Sequence, residues 1–104
     1  MSYLINHNNN SFSNSFEISG SKSESNRLLI LNSIYGNLKI DNLSNSDDTV
    51  ILDKYITNLE SQIDVHHAGT AMRFLTALLA IKTNKQFVIT GSNRMKERPI
   101  KILV

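Results

Sequence analysis

The chain has 104 residues, enough for one small domain, and 40% of them are hydrophobic. A formal charge of +2 is too small to argue for a nucleic-acid or membrane-surface partner. With no cysteine and three histidines, a disulfide frame and thiolate chemistry are excluded, and a structural zinc site is disfavoured. The N-terminus shows no basic region followed by an apolar core, so no signal peptide is expected and a cytoplasmic location fits.

Residues 1–20 are rich in Ser and Asn. Tyr3-Leu4-Ile5 and Ser15-Phe16-Glu17-Ile18 have the composition of two short strands. His7 to Asn10 would be the turn between them, because Asn tolerates left-handed backbone. A low-complexity leader is the alternative. Gly20-Ser21-Lys22-Ser23 then opens a helix whose apolar positions are Leu28, Leu29, Leu31, Ile34 and Tyr35. Ser21 or Ser23 can cap its start, and Gly36 is placed to stop it. Arg27 stands one turn beyond Ser23, so Lys22, Ser23 and Arg27 can face one oxyanion, or can be ordinary solvated residues of a capped helix. The glycine spacing excludes a P-loop.

Leu38 to Leu43 alternates as a strand does, and Ser44-Asn45-Ser46 is a turn. Ser46 caps a second helix with Asp47 and Asp48 in its first turn, where negative charge is favoured. Its apolar stripe is Ile51, Leu52, Tyr55, Ile56 and Leu59. The two acids have the look of helix-start residues more than of acid/base or metal groups. Gln62 to Val65 is a short strand leading to His66-His67, whose side chains would point to opposite faces and not share a metal.

Val65 to Ile81 organises the rest. Gly69 permits a tight turn or a close approach, and Thr70 is expected to cap the helix that follows. Arg73 in the first turn opposes the helix dipole unless an anion binds beside it; the other reading is a salt-bridged surface arginine. Phe74, Leu75, Ala77, Leu78, Leu79, Ala80 and Ile81 are apolar on nearly every face, which predicts a helix buried on all sides. It is too short to span a membrane. Gln86 to Thr90 is a strand, and Gly91-Ser92 turns the chain. Arg94, Lys96 and Arg98 then place three cations in five residues. Pro99 suits the first position of a further helix with Ile100, Leu103 and Val104 as its apolar stripe. One turn is not stable alone, so the expectation is a piece of a longer protein.

Four stretches together resemble the N-terminal part of the 5-enolpyruvylshikimate-3-phosphate (EPSP) synthase family: GSKSESNRLLIL, SNSDDT, HAGTAMRFLTA and RMKERPI. The resemblance runs from about residue 14 to the end. It implies an α/β fold: part of an inside-out α/β barrel, about one βαβαββ unit with a buried central helix. Residues 1–18 would be strands belonging to the other half of the full enzyme. Residues 19–104 would be the first such unit of the substrate-binding half. The implied reaction joins phosphoenolpyruvate to the 5-hydroxyl of shikimate 3-phosphate, by addition and elimination, with no metal or organic cofactor. Lys22 resembles the catalytic lysine that contacts both substrates. Ser23 and Arg27 resemble shikimate 3-phosphate ligands. His67, Gly69, Thr70, Arg73 and Arg94 resemble phosphoenolpyruvate contacts. Two departures stand out: the family often has Asn where His67 stands and Pro where Phe74 stands.

The implied partners are the two substrates and the remainder of the enzyme, with no nucleic acid and no membrane. Apolar surface left uncovered predicts self-association. The resemblance implies that the chain alone is inactive, because the family's proton-transfer base lies further along. Two alternatives stand beside this: part of the sister enolpyruvyl transferase that acts on a UDP-sugar, and a non-enzymatic anion-binding module.

Overall fold

A computed structural model describes residues 1–8, 11–82 and 84–100. The first helix, α1, runs Lys22–Tyr35. Ser21 is its cap: the hydroxyl accepts from the N–H of Glu24, and Gly36 ends the helix at φ 71°. That positive φ suits glycine. The second helix, α2, runs Asp47–Thr57, and the Ser46 hydroxyl accepts from the N–H of Thr49. Both serines behave as their local pattern predicts.

Strand β1 is Gln62–Asp64. Helix α3, Gly69–Ala80, crosses over to strand β2, Val88–Thr90, which lies parallel to β1 with Ile63 opposite Ile89. The pairing continues past the strands. Val65 N–H donates to Thr90 O (2.9 Å), and Ser92 N–H donates to His66 O (2.9 Å). A short helix, α4, Asn93–Lys96, follows under a Ser92 cap. The arrangement is α/β, with α1, α2 and α3 packed on one another and a parallel strand pair.

Leu29 of α1, Leu52 and Tyr55 of α2, Ile63 and Val65, Ala71 and Leu75 of α3 and Met95 of α4 close into one core. Beside it lies a buried polar seam. Asn26 Oδ1 accepts from the Thr49 hydroxyl at 2.8 Å, and Thr49 Oγ1 lies 3.0 Å from Ser46 Oγ. Ser25 Oγ accepts from Ser44 N–H at 2.9 Å. Buried polar groups of this kind are specific joints, because each leaves its partner unsatisfied if it moves. They lock the start of α2 to α1.

Four expectations are corrected. Tyr3-Leu4-Ile5 and Ser15 to Ile18 form no strands, and Tyr3, Leu4, Ile5, Phe16 and Ile18 are exposed. A strand needs a neighbour for its backbone, and the described residues supply none there. Leu38 to Leu43 is also irregular, since Asn37 and Asn42 at positive φ bend both ends out of extension. Helix α3 is not buried all round. Leu75, Leu78 and Leu79 are buried, while Arg73, Ala77, Ala80 and Ile81 are exposed. The described neighbours cover only part of its circumference. Finally, Pro99 and Ile100 are not helical, and the expected stripe at 103–104 lies outside the described residues.

Candidate anion-binding site

The site begins where β1 hands the chain to α3. His66 turns the backbone at φ 51°, and its N–H donates to Asp64 Oδ1 at 2.9 Å. Ala68 N–H donates to Val65 O at 2.8 Å. The turn sets α3 going at Gly69, one residue earlier than a Thr70 cap would require. Thr70 therefore lies inside the first turn and does not cap it; no side chain at the N-cap position does.

The cap comes from another helix. Asp48 Oδ1 accepts from the N–H of Ala71 at 2.8 Å, across 23 residues of sequence. Its other oxygen, Oδ2, lies 3.3 Å from Lys22 Nζ. One carboxylate thus joins α1, α2 and α3. Asp48 is mostly covered, with 15% of its side chain exposed, while Lys22 keeps 49% of its side chain in solvent. The ammonium is accordingly held at one edge and open at the other.

Among the described residues, no acceptor meets the N–H of Gly69 or of Thr70. These are orphan donors at the positive end of a helix dipole. Gly69 is also where Arg98 arrives. A Cβ at position 69 would collide with Arg98 Nη1, so the guanidinium lies directly against the glycine backbone. The approach is held by α4. A Cβ on Gly91 would come within 2.9 Å of both His66 O and Met95 Cγ, so the turn into α4 is pressed onto the turn before α3.

The other expected residues fall as follows. Arg73 is the fifth residue of α3, beyond the first-turn amides of Gly69, Thr70 and Ala71, and its Nη2 donates to Pro99 O at 3.4 Å. Ser23 and Arg27 are exposed on α1. Arg27 stands five residues after Lys22, which rotates it about 140° around the helix. It lies instead at the rim of an apolar groove of about 460 Å³ between α1 and α3, with Ile34, Phe74 and Ile81. His67 is exposed beside the α3 start, and Arg94 is exposed on α4. Lys22, Gly69 and Thr70 are thus brought to one place. Asp48 and Arg98 join them, and both were missed as site residues. Asp48 was legible only as a helix-start acid, because both of its side-chain bonds are long-range. Arg98 was one of three cations in RMKERP, and nothing local distinguishes it from Arg94.

Chemically, the place offers two backbone donors without an acceptor among the described residues, a guanidinium and an ammonium, which suit a carboxylate or phosphate. Among the described residues, no group of three or more His, Asp or Glu is gathered as a metal would need, and no helix is long and apolar enough to cross a membrane.

Comparison with known proteins gives a consistent picture. The family profile described as EPSP synthase (3-phosphoshikimate 1-carboxyvinyltransferase) matches residues 52–104. A 3-phosphoshikimate 1-carboxyvinyltransferase of Bacteroides fragilis is 47% identical over 89 residues, covering 85% of this chain and 22% of that protein. The enzyme of the same name from Actinobacillus pleuropneumoniae is 39% identical, covering 82% of this chain and 26% of that protein. One from Haemophilus influenzae is 38% identical with the same coverage, 82% and 26%. No solved structure matches. The chain spans about a quarter of the length of these relatives. On the match over half of its length, this chain belongs to the EPSP synthase (3-phosphoshikimate 1-carboxyvinyltransferase) family.

Proposed function

We propose that this chain carries part of the substrate sites of an enolpyruvyl transferase, one that moves the enolpyruvyl group of phosphoenolpyruvate onto shikimate 3-phosphate. The observation that carries the proposal is the convergence of Lys22, the N–H groups of Gly69 and Thr70, which meet no acceptor among the described residues, and Arg98 at the start of α3. A phosphoenolpyruvate molecule carries a phosphate and a carboxylate, and two kinds of donor stand ready for them. Backbone N–H groups at a helix start take one anion, and a guanidinium binds the other in a two-pronged manner. Lys22, exposed at its outer edge, would reach the bridging region between this substrate and shikimate 3-phosphate. Ser23 and Arg27, one turn apart on α1, would contact the second substrate.

The family resemblance supports a wider setting. The described α/β unit would be one of several building an inside-out α/β barrel, with residues 19–104 in the substrate-binding half and residues 1–18 contributing strands to the other half. The remainder of the enzyme would supply the second wall of the cleft and the acid/base group, in the cytoplasm and without a cofactor. Positioned acid/base groups contribute about 10²–10⁴-fold each, and near-attack geometry contributes more.

Calorimetric titration of the chain with phosphoenolpyruvate tests the proposal. Weak, salt-sensitive binding is expected, weakened further but still measurable in Lys22→Ala and in Arg98→Ala. Binding that neither substitution alters would overturn it.

A further inference from the structure

We propose that Asp48 is the positioning residue of this site, a fixed internal anion that holds Lys22 and the first turn of α3 in one geometry before any ligand arrives. This role rests on the function proposed above and deepens it.

Its two oxygens have separate tasks. Oδ1 accepts from Ala71 N–H at 2.8 Å, and Oδ2 takes Lys22 Nζ at 3.3 Å. A residue serving only its own helix would do neither, because Asp48 sits in the first turn of α2 and both partners lie on other helices. Nor is the carboxylate free to wander. The Asn26–Thr49–Ser46 seam pins the turn of α2 on which it stands. Asn26 and Thr49 are fully buried, so the seam has one geometry.

The consequence is a division of labour among the orphan amides of α3. Asp48 satisfies the third residue of the helix and leaves the first two, Gly69 and Thr70, for an incoming anion. It also orders a flexible four-carbon side chain. An unpaired lysine loses rotamer freedom when it binds, and a pre-paired one has already lost much of it. Arg98 lies against Gly69 and, among the described residues, makes no ion pair with Asp48.

Three variants of the chain separate positioning from mere stability: Asp48→Asn, Asp48→Ala and Lys22→Met. Asparagine keeps an oxygen for Ala71 N–H and loses the charge that holds Lys22. Phosphoenolpyruvate at constant ionic strength is the probe, followed by NMR, with amide exchange at Ala71 as the ligand-free readout. In Asp48→Asn, affinity is expected to fall about tenfold, the worth of lysine rotamer freedom, while Ala71 exchange stays near wild type. In Asp48→Ala, Ala71 exchange is expected to speed about fivefold to tenfold, as for loss of a helix cap. In the Lys22→Met background, Asp48→Asn should change affinity less than about twofold, since the two act as one unit. An Asp48→Asn chain that binds as tightly as wild type overturns the proposal, as does an equal tenfold loss in both backgrounds. Failure of the wild-type chain to bind at all overturns the functional reading instead. The exchange readout then decides the bridge alone, and unchanged Ala71 exchange in Asp48→Ala overturns it.

Discussion

Gly69 is the residue at which backbone and side-chain donors meet, and its lack of a Cβ is what allows the meeting. Arg98 Nη1 occupies the space a methyl group would take. The obstacle to Gly69→Ala is the far end of a flexible side chain, so the substitution should leave thermal stability almost unchanged while pushing the guanidinium off the glycine. Calorimetry is expected to show phosphoenolpyruvate affinity reduced about tenfold, the worth of one charge-assisted contact, with melting temperature held. A second residue-scale expectation concerns Asn26, fully buried, with its Oδ1 taken by Thr49 and its Nδ2 lacking a partner among the described residues. Asn26→Ala removes the acceptor of the Thr49 hydroxyl and opens the α1–α2 joint. Denaturant unfolding should register a loss of about 1–3 kcal/mol.

At the scale of elements, local chemistry was legible wherever a bond closes within one turn. Ser21, Ser46 and Gly36 terminate their helices as their sequence positions imply. The two strands were legible as short alternating runs, though not their parallel pairing, and both came out one or two residues shorter than the pattern suggested. Thr70 misled because helix starts are set by the turn before them. His66 at positive φ and the Ala68–Val65 bond begin α3 at Gly69 and move the cap to Asp48. Leu38 to Leu43 misled because alternation speaks of faces and not of partners. The core helix itself is checked by Leu75, which is fully buried among residues of α1, α2 and β1. Leu75→Ala should cost about 2–5 kcal/mol by denaturant melt, the range for a large-to-small change in a closed core.

The whole molecule is more extended than its length predicts. Its radius of gyration is 17.9 Å, against about 13 Å for a compact domain of this size. The excess is consistent with exposed Tyr3, Leu4, Ile5, Phe16 and Ile18 and with the open groove between α1 and α3. That much uncovered apolar surface predicts self-association, read as a concentration-dependent mass by light scattering. Uncovered apolar surface was expected from the sequence, but not which segments would carry it. A run such as Phe74 to Ile81 records how much burial a helix needs, and it does not record which segment supplies it. The candidate site was legible as residue types, Lys22, Gly69 and Thr70 among them. Its assembly was not, because Asp48 and Arg98 reach it only through tertiary contacts.

The most direct measurement is an NMR titration of the isotope-labelled chain with phosphoenolpyruvate, followed at every backbone amide and at the arginine side chains. The site described here predicts shifts at the Gly69 and Thr70 amides and at the Arg98 guanidinium, sharing one saturation curve that weakens with added salt. Shifts centred on Arg94 and Lys96 that leave Gly69 and Thr70 unmoved would contradict it, as would an unchanged spectrum at millimolar ligand.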